Sequence, residues 1–197
     1  MIVLLLLVGI IVVSYIIYMI FFWQWKKNCQ PFYSQEQPVI FGHRGSPSLI
    51  TENTLPSFQQ AINQKVDGLE FDIRLSADEQ IVIFHDKDLS RLSDRSDKIN
   101  KLTLSELQTI ELHGCEDELR GIYIPSLNDI VPLLNYIKVL NVEIKSDGLF
   151  KGHNILKPLI EFLNKHQIDD KCIVSSFNPL ILMRLRLQRP ETVIGFL

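Results

Sequence analysis

After residue 38, apolar and polar positions follow two alternating patterns. Short runs with an apolar residue at every second position predict β-strands, and stretches with apolar residues three or four apart predict helices. Strands are expected at residues 39–42, 68–75, 81–84, 139–145, 171–177 and 192–197. Helices are expected at residues 54–65, 103–106, 127–136, 156–165 and 179–187. Strands that alternate with helices favour parallel βα units.

The first 25 residues have a different pattern, because they contain no charged side chain. At about 1.5 Å per residue, such a helix reaches across a hydrocarbon core of roughly 30 Å. Aromatic side chains gather near its end, where a membrane interface would lie: Tyr15, Tyr18, Trp23 and Trp25. A cleaved signal peptide is the alternative, but a basic start and a small-x-small cleavage site are missing. We predict one transmembrane helix over residues 1–25 and a polar linker over residues 26–38.

Charge and cysteine content narrow the possible partners. The formal net charge is −3 over 197 residues, which gives no overall basic surface for nucleic acid. Lys26 and Lys27 follow the apolar segment, and the positive-inside tendency then places the remainder weakly on the cytoplasmic side of a membrane. The three cysteines are widely spaced without a C-x-x-C pair, so neither a cysteine metal cluster nor a disulfide framework is expected.

One predicted strand, over residues 68–75, has ionisable residues on one face. Glu70, Asp72 and Arg74 alternate with apolar residues, so their side chains share a face. If that face points into a closed interior, two neighbouring carboxylates need a cation to offset their repulsion and desolvation. The cation is either a metal ion or an ion-pair partner such as Arg74 or Lys145.

Polar residues also end the other predicted strands, at His43, His85, Lys145 and Ser176. Chemistry at the carboxyl ends of strands is typical of (β/α)₈ barrels. We therefore predict an α/β, TIM-barrel type domain over residues 39–197. About six βα units are expected where a complete barrel has eight strands and about 250 residues. The barrel is expected to be incomplete, as in a truncated protein.

The motifs occur in a specific order along the chain: His43-Arg44-Gly45, Glu52-Asn53, Glu70-x-Asp72, His85-Asp86, Pro125-x-Leu127, Glu143-x-Lys145 and Ser176-Phe177. In this order the chain resembles the glycerophosphodiester phosphodiesterase family of metal-dependent hydrolases, from about Val39 onwards. Each motif alone is weak, whereas all of them at predicted strand ends make a strong signal.

The resemblance implies roles for individual residues. Glu70, Asp72 and Glu143 match metal ligands, and three carboxylates suit Mg²⁺ or Ca²⁺. His43 and His85 match a general acid/base pair, whose individual roles stay open. The residues that match phosphate contacts or the border of the site are Arg44, Lys145 and Glu52.

Some positions keep two interpretations. Asn53 or Thr54 caps the helix that follows, and Asp86 either orients His85 or caps its loop. Ser176 and Phe177 form either part of the substrate wall or plain core.

The resemblance implies metal-dependent hydrolysis of glycerophosphodiesters to glycerol 3-phosphate and an alcohol. The apolar N-terminus suggests a variant, a lysophospholipase D that acts on lysophospholipids in the bilayer that residues 1–25 enter. A truncated, non-catalytic membrane protein is the alternative from another class. Nuclease or sphingomyelinase-like chemistry is a weaker alternative, because related barrels share the carboxylates and histidines.

Overall fold

The structure is a computed structural model that describes residues 1–19, 38–114 and 121–197. Its first element is a helix, α1, over Ile2–Tyr18, with apolar side chains that are mostly half exposed or more. Within the described ranges, no helix is both long enough and apolar enough to cross a membrane. Residues 20–25 of the predicted span, most of the predicted linker, Cys29 and Cys115 lie outside the described residues.

Six strands form one sheet in the part of the chain that the structure describes. The strands are β1 (Phe41–His43), β2 (Gly68–Leu75), β3 (Ile81–Ile83), β4 (Val139–Ile144), β5 (Cys172–Ser176) and β6 (Val193–Phe196). Five of them run parallel in the order β1-β2-β4-β5-β6, while β3 pairs with β2 away from this path. The parallel βα architecture predicted from the sequence is confirmed for these five strands.

The prediction of six βα units is wrong, because β3 is antiparallel to β2. Ile83 pairs with Ile73 and Ile81 pairs with Leu75, so the chain turns back in a hairpin. Only residues 76–80 separate the two strands, and a parallel crossover needs about a dozen residues or more. The hairpin brings the residues after β3 back towards Asp72, whose carbonyl accepts a hydrogen bond from the Phe84 amide (2.9 Å).

The helices lie close to the positions that the apolar spacing predicts. The α-helices after α1 are α2 (Leu55–Asn63), α3 (Leu104–Leu107), α4 (Leu156–His166) and α5 (Pro179–Gln188). The 3₁₀ helices are Ile99–Lys101, Leu127–Tyr136 and His153–Ile155. The predicted capping box of α3 is present, since Thr103 and Glu106 each bond the other's backbone N–H. Residues 127–136 form a 3₁₀ rather than an α-helix and contain Pro132.

Two apolar clusters stabilise this arrangement. The larger one lies between the sheet and helices α2, α4 and α5, with Phe58, Phe71 and Leu159 fully buried in it. The smaller one is formed by side chains from residues 82–112 and 122–124, where Val82, Phe84 and Leu89 are buried. Alternation along β3 explains the division, because Ile81 and Ile83 enter the larger cluster while Val82 and Phe84 enter the smaller one. The hairpin is thereby fixed on both faces.

Candidate active site

Three carboxylates meet on the neighbouring parallel strands β2 and β4. Asp72 pairs in register with Glu143, and Glu70 lies two residues earlier on the same face of β2. Glu70, Asp72 and Glu143 are 7%, 0% and 6% exposed. Each offers one oxygen, and these atoms all lie within 4.8 Å of one another. The three residues that the family resemblance gives as metal ligands are therefore brought together, in an arrangement that could hold a metal ion.

The surroundings of Asp72 test whether a cation fits this group. Its Oδ2 accepts a hydrogen bond from Asn53 Nδ2 (2.8 Å). Its buried Oδ1 has no hydrogen-bond partner among the described residues, although Lys145 Nζ lies 3.0 Å away as an ion pair. A buried carboxylate oxygen normally has a hydrogen bond or a cation ligand. Carboxylate oxygens are the donors that hard divalent cations prefer, so the donor set fits such an ion.

Two side-chain cations contact this group of three carboxylates. Arg44 Nε lies 3.2 Å from Asp72 Oδ2, and Lys145 Nζ contacts both Asp72 and Glu143. The ion-pair alternative considered for the sequence is thus partly realised through Lys145, but not through Arg74. Burial, reinforced by repulsion from Asp72 and then Glu143, raises the pKa of Glu70 to about 7. The three carboxylates therefore carry more negative charge than Arg44 and Lys145 balance, and Glu70 is the carboxyl group whose pKa is raised as a result.

A tight turn after β1 positions Arg44. Arg44 and Gly45 both have positive φ, at 55° and 91°. A Cβ on Gly45 would lie 2.4 Å from Ser57 Oγ, so a side chain does not fit there. The turn directs the Arg44 N–H at Glu70, at 2.9 Å from its carbonyl and 3.1 Å from Oε2. The His43-Arg44-Gly45 motif therefore shapes the backbone around a carboxylate as well as supplying side chains.

The two predicted histidines lie on different elements, and only His43 directly contacts the carboxylate group among the described residues. His43 pairs in register with Glu70, and its Nε2 lies 3.7 Å from Glu70 Oε2. His85 follows β3, with Nδ1 2.7 Å from Asp86 Oδ1. Of the two roles considered for Asp86, the structure shows the contact that orients His85. Burial raises the pKa of Asp86, but hydrogen bonds from Arg91 and His85 outweigh it and hold this pKa below its usual range.

Asn53 contacts the carboxylates directly, whereas the helix cap is Thr54. Thr54 accepts the bond from the Ser57 N–H at the start of α2. Asn53 is buried with a φ of 57°, donates to Asp72 Oδ2, and accepts from the Asp72 N–H (3.3 Å). Glu52, expected to border the site, contacts Arg44, since its Oε1 accepts from Arg44 Nη1 (3.1 Å).

Arg74 has a different role from the charge balance expected for Glu70 and Asp72. Its Nε donates to the His85 carbonyl (2.8 Å), and its Nη1 donates to Asp147 Oδ1 (3.0 Å). This side chain therefore ties β2 to the backbone at His85 and to the loop after β4. Its hydrogen bond to the His85 carbonyl helps to fix the backbone at that residue.

At the end of β5, one residue lies in the core and the next lies at the surface. Ser176 is buried, and its hydroxyl donates to the Ile144 carbonyl (2.8 Å). Phe177 is 67% exposed, and its ring centroid lies 5.9 Å from Lys145 Nζ. Leu149 and Phe150, in the loop after β4, are also exposed. These three apolar side chains lie on the same side of the site as Lys145.

Sequence reasoning missed Arg91, in the loop after β3. Arg91 Nη2 donates to Glu52 Oε1 (2.6 Å), and its Nε donates to Asp86 Oδ2 (2.5 Å). No periodic pattern marks this residue, because its partners are 39 and 5 positions away and their side chains meet only in the folded chain. The one sequence signal is its closeness to His85-Asp86.

Comparison with known proteins agrees with this geometry. Residues 43–197 match the model of the glycerophosphoryl diester phosphodiesterase family. A glycerophosphodiester phosphodiesterase of Caldanaerobacter subterraneus is 29% identical over 81% of this chain and 66% of the relative.

Solved structures show the same similarity. A phosphodiesterase from Oleispira antarctica, solved in complex with the product sn-glycerol-3-phosphate, has a TM-score of 0.73 and 33% identity. The match covers 81% of this chain and 65% of that protein. A glycerophosphodiester phosphodiesterase from Thermotoga maritima has a TM-score of 0.64 and 30% identity over 82% and 63% of the two chains. The chain thus spans about two thirds of the length of these relatives.

Proposed function

The chain belongs to the glycerophosphoryl diester phosphodiesterase family, and we propose that it hydrolyses glycerophosphodiesters to glycerol 3-phosphate and an alcohol. One observation carries the proposal. Three buried carboxylates converge from β2 and β4, with a histidine beside them and two cationic side chains in contact. The product bound to the Oleispira antarctica relative supports glycerol 3-phosphate as the product here.

Glu70, Asp72 and Glu143 would hold the divalent cation, Mg²⁺ or Ca²⁺. When bound, the cation supplies positive charge that stabilises the charge growing on the phosphate. The close approach of the three carboxylates and the raised pKa of Glu70 support this assignment, because two contacting side-chain cations do not offset three negative charges.

His43 and His85 move the protons. Hydrolysis requires one proton to be taken from the attacking oxygen and one to be given to the leaving alkoxide, and imidazoles titrate near neutral pH. The Asp86 carboxylate only accepts hydrogen bonds when ionised, so the contact at 2.7 Å keeps a proton on His85 Nδ1. Nε2 of His85 is then the nitrogen that exchanges a proton with the substrate.

Arg44 and Lys145 bind the phosphate. Both already lie within 3.2 Å of Asp72, which holds their charged ends at the edge of the carboxylate group. The planar Arg44 guanidinium suits the paired oxygens of a phosphate, while Lys145 acts as a point charge. Positive charge fixed before the reaction stabilises the transition state without reorganisation.

The direct test is incubation of the full chain with glycerophosphocholine and Mg²⁺ or Ca²⁺. We expect choline and glycerol 3-phosphate in equal amounts, and no product with chelator. His43→Ala and His85→Ala should each lower kcat by roughly 10²- to 10⁴-fold. His113→Ala is the matched control, since His113 pairs with Asp94 outside the site. The proposal is wrong if metal-loaded chain releases neither product, or if all three variants behave alike.

A second candidate is hydrolysis of lysophospholipids, favoured by the exposed apolar side chains beside Lys145. Leu149, Phe150 and Phe177 would contact an acyl chain that glycerophosphocholine lacks. Phe150→Ser should then raise KM for lysophosphatidylcholine and leave KM for glycerophosphocholine unchanged. Equal effects on both substrates would remove this candidate.

We also propose that residues 1–25 attach the chain to a lipid bilayer, so that the catalytic domain works at a membrane. Support comes from the absence of charge in this segment and from the exposed apolar side chains of α1. Leu6→Lys with Ile10→Lys should reduce co-sedimentation of the full chain with phosphatidylcholine vesicles. Gln59→Lys with Gln108→Lys adds the same charge elsewhere and should not. Equal sedimentation of both double variants would contradict the attachment.

A further inference from the structure

Arg91 joins two carboxylates that belong to different parts of the site. Its Nη2 donates to Glu52 Oε1 (2.6 Å) and its Nε to Asp86 Oδ2 (2.5 Å). Burial raises the pKa of both carboxyl groups, but the Arg91 hydrogen bonds and charge are the chief opposing effect and leave both pKa values low. Both groups are therefore ionised at neutral pH and act as hydrogen-bond acceptors.

Each of these carboxylates in turn holds a residue of the proposed reaction. Asp86 Oδ1 lies 2.7 Å from His85 Nδ1, and Glu52 Oε1 also accepts from Arg44 Nη1 (3.1 Å). Arg44 Nε reaches Asp72 (3.2 Å). One continuous chain of charged contacts thus runs from His85 through Arg91 to the carboxylate group.

We propose that Arg91 is a positioning residue: it fixes Asp86 so that His85 keeps its proton on Nδ1, and it fixes Glu52 so that Arg44 stays directed at the phosphate. Arg91 does not touch the reacting atoms in this account. Its effect on rate rests on the proposed function, whereas its effect on the His85 proton does not.

The geometry separates Arg91 from an ordinary surface ion pair. Exposed pairs typically contribute little, and the Arg91 side chain is 47% exposed. Its partner side chains, Glu52 and Asp86, are only 14% and 27% exposed. Arg91 Nε donates to Asp86, and Nη2 donates to Glu52. A lysine has one charged nitrogen and lacks this planar fork, so Arg91→Lys should not replace it.

Arg95 provides a matched control in the same loop. Its Nε donates to Asp97 Oδ2 (2.8 Å), and both side chains are more than 40% exposed. It carries the same charge four residues from Arg91 and, within the described part of the chain, bonds to Ser93 and Asp97 rather than to a residue of the site.

The first test reads the His85 proton directly. The full chain is labelled with ¹⁵N-histidine and studied by long-range ¹H–¹⁵N NMR at a pH where the imidazoles are neutral, with His85 assigned through His85→Gln. We expect the Nδ1–H tautomer in the parent chain and in Arg95→Ala. Arg91→Ala and Arg91→Lys should give a mixture of tautomers. An unchanged tautomer in Arg91→Ala, in a chain that is still folded, would overturn the proposal.

The second test measures turnover of glycerophosphocholine. Arg91→Ala should lower kcat roughly tenfold or more, and the double variant with Asp86→Ala should lose less than the two single losses combined, because both residues act on His85 and only the Glu52 contact of Arg91 is independent of Asp86. Added ethylguanidinium should restore part of the lost rate. Turnover equal to that of Arg95→Ala would overturn the catalytic part. If the parent chain does not hydrolyse glycerophosphocholine, the proposed function is wrong. The NMR result would still show whether Arg91 fixes the proton on His85 Nδ1.

Discussion

Glu70 is the residue at which the charge of the site is least balanced. Asp72 contacts Arg44 and Lys145, and Glu143 contacts Lys145. Glu70 accepts the Arg44 backbone N–H and lies 3.7 Å from His43, which is charged only when protonated. Burial and the two neighbouring carboxylates therefore raise its pKa from 4.5 to about 7 in the metal-free chain.

This raised pKa predicts a pH dependence of stability. The folded chain binds the Glu70 proton more tightly than the unfolded chain, so the stabilisation is complete below pH 4.5 and is lost as pH rises through about 7. Relative to Glu70→Gln, the metal-free chain should lose on the order of 2 kcal/mol of unfolding free energy between pH 5 and pH 8.

Urea unfolding of both chains in chelator measures this difference. Since carboxyl groups away from Glu70 titrate alike in the two chains, the Glu70→Gln variant serves as the control for them. A difference that stays constant with pH would show that Glu70 is ionised throughout.

The sequence pattern placed Glu70 and Asp72 side by side because strand periodicity is local. Alternation along residues 68–75 places Glu70 and Asp72 on one face whatever surrounds them. Loop residues offer no such rule. Asn53 reads equally well as a helix cap, and Arg91 meets Glu52 only after residues 39 positions apart are folded together.

At the scale of elements, the β2–β3 hairpin shows both the strength and the failure of the sequence pattern. Alternation identified the strand at Ile81–Ile83, but not its direction. The five-residue connection was a usable signal, because it is too short for a parallel crossover. The hairpin still delivers His85 to the site, since β3 runs back along β2 towards Asp72.

The turn after β1 is the element whose geometry is most tightly constrained. Gly45→Ala should lower the unfolding free energy by on the order of 3 kcal/mol, because a Cβ there meets Ser57 atoms at 2.4–2.9 Å and φ is 91°. Chemical denaturation measures the loss. Gly195→Ala, whose Cβ would meet Ser175 at an ordinary 3.5 Å, should be tolerated. Equal losses of unfolding free energy in both variants would contradict the steric constraint proposed for Gly45.

At the scale of the whole molecule, the candidate site draws on the β1–β4 part of the sheet. His43, Glu70, Asp72, His85, Glu143 and Lys145 all lie on or directly after these strands. β5 and β6 extend the sheet beyond them. The motifs that the sequence singled out on β2 and β4 therefore lie together in the folded chain, whereas the number of βα units was one too high, because the direction of β3 depends on tertiary pairing.

The central claim is that Glu70, Asp72 and Glu143 bind one divalent cation, and calorimetric titration of the full chain with Ca²⁺ and Mg²⁺ at pH 8 tests it most directly. At that pH Glu70 is ionised, because its pKa is about 7. We predict one site per chain, with affinity at least about tenfold weaker in Glu143→Gln. Glu161→Gln, on the exposed side of α4, should bind like the parent chain. No saturable binding, or equal binding by both variants, would contradict the account.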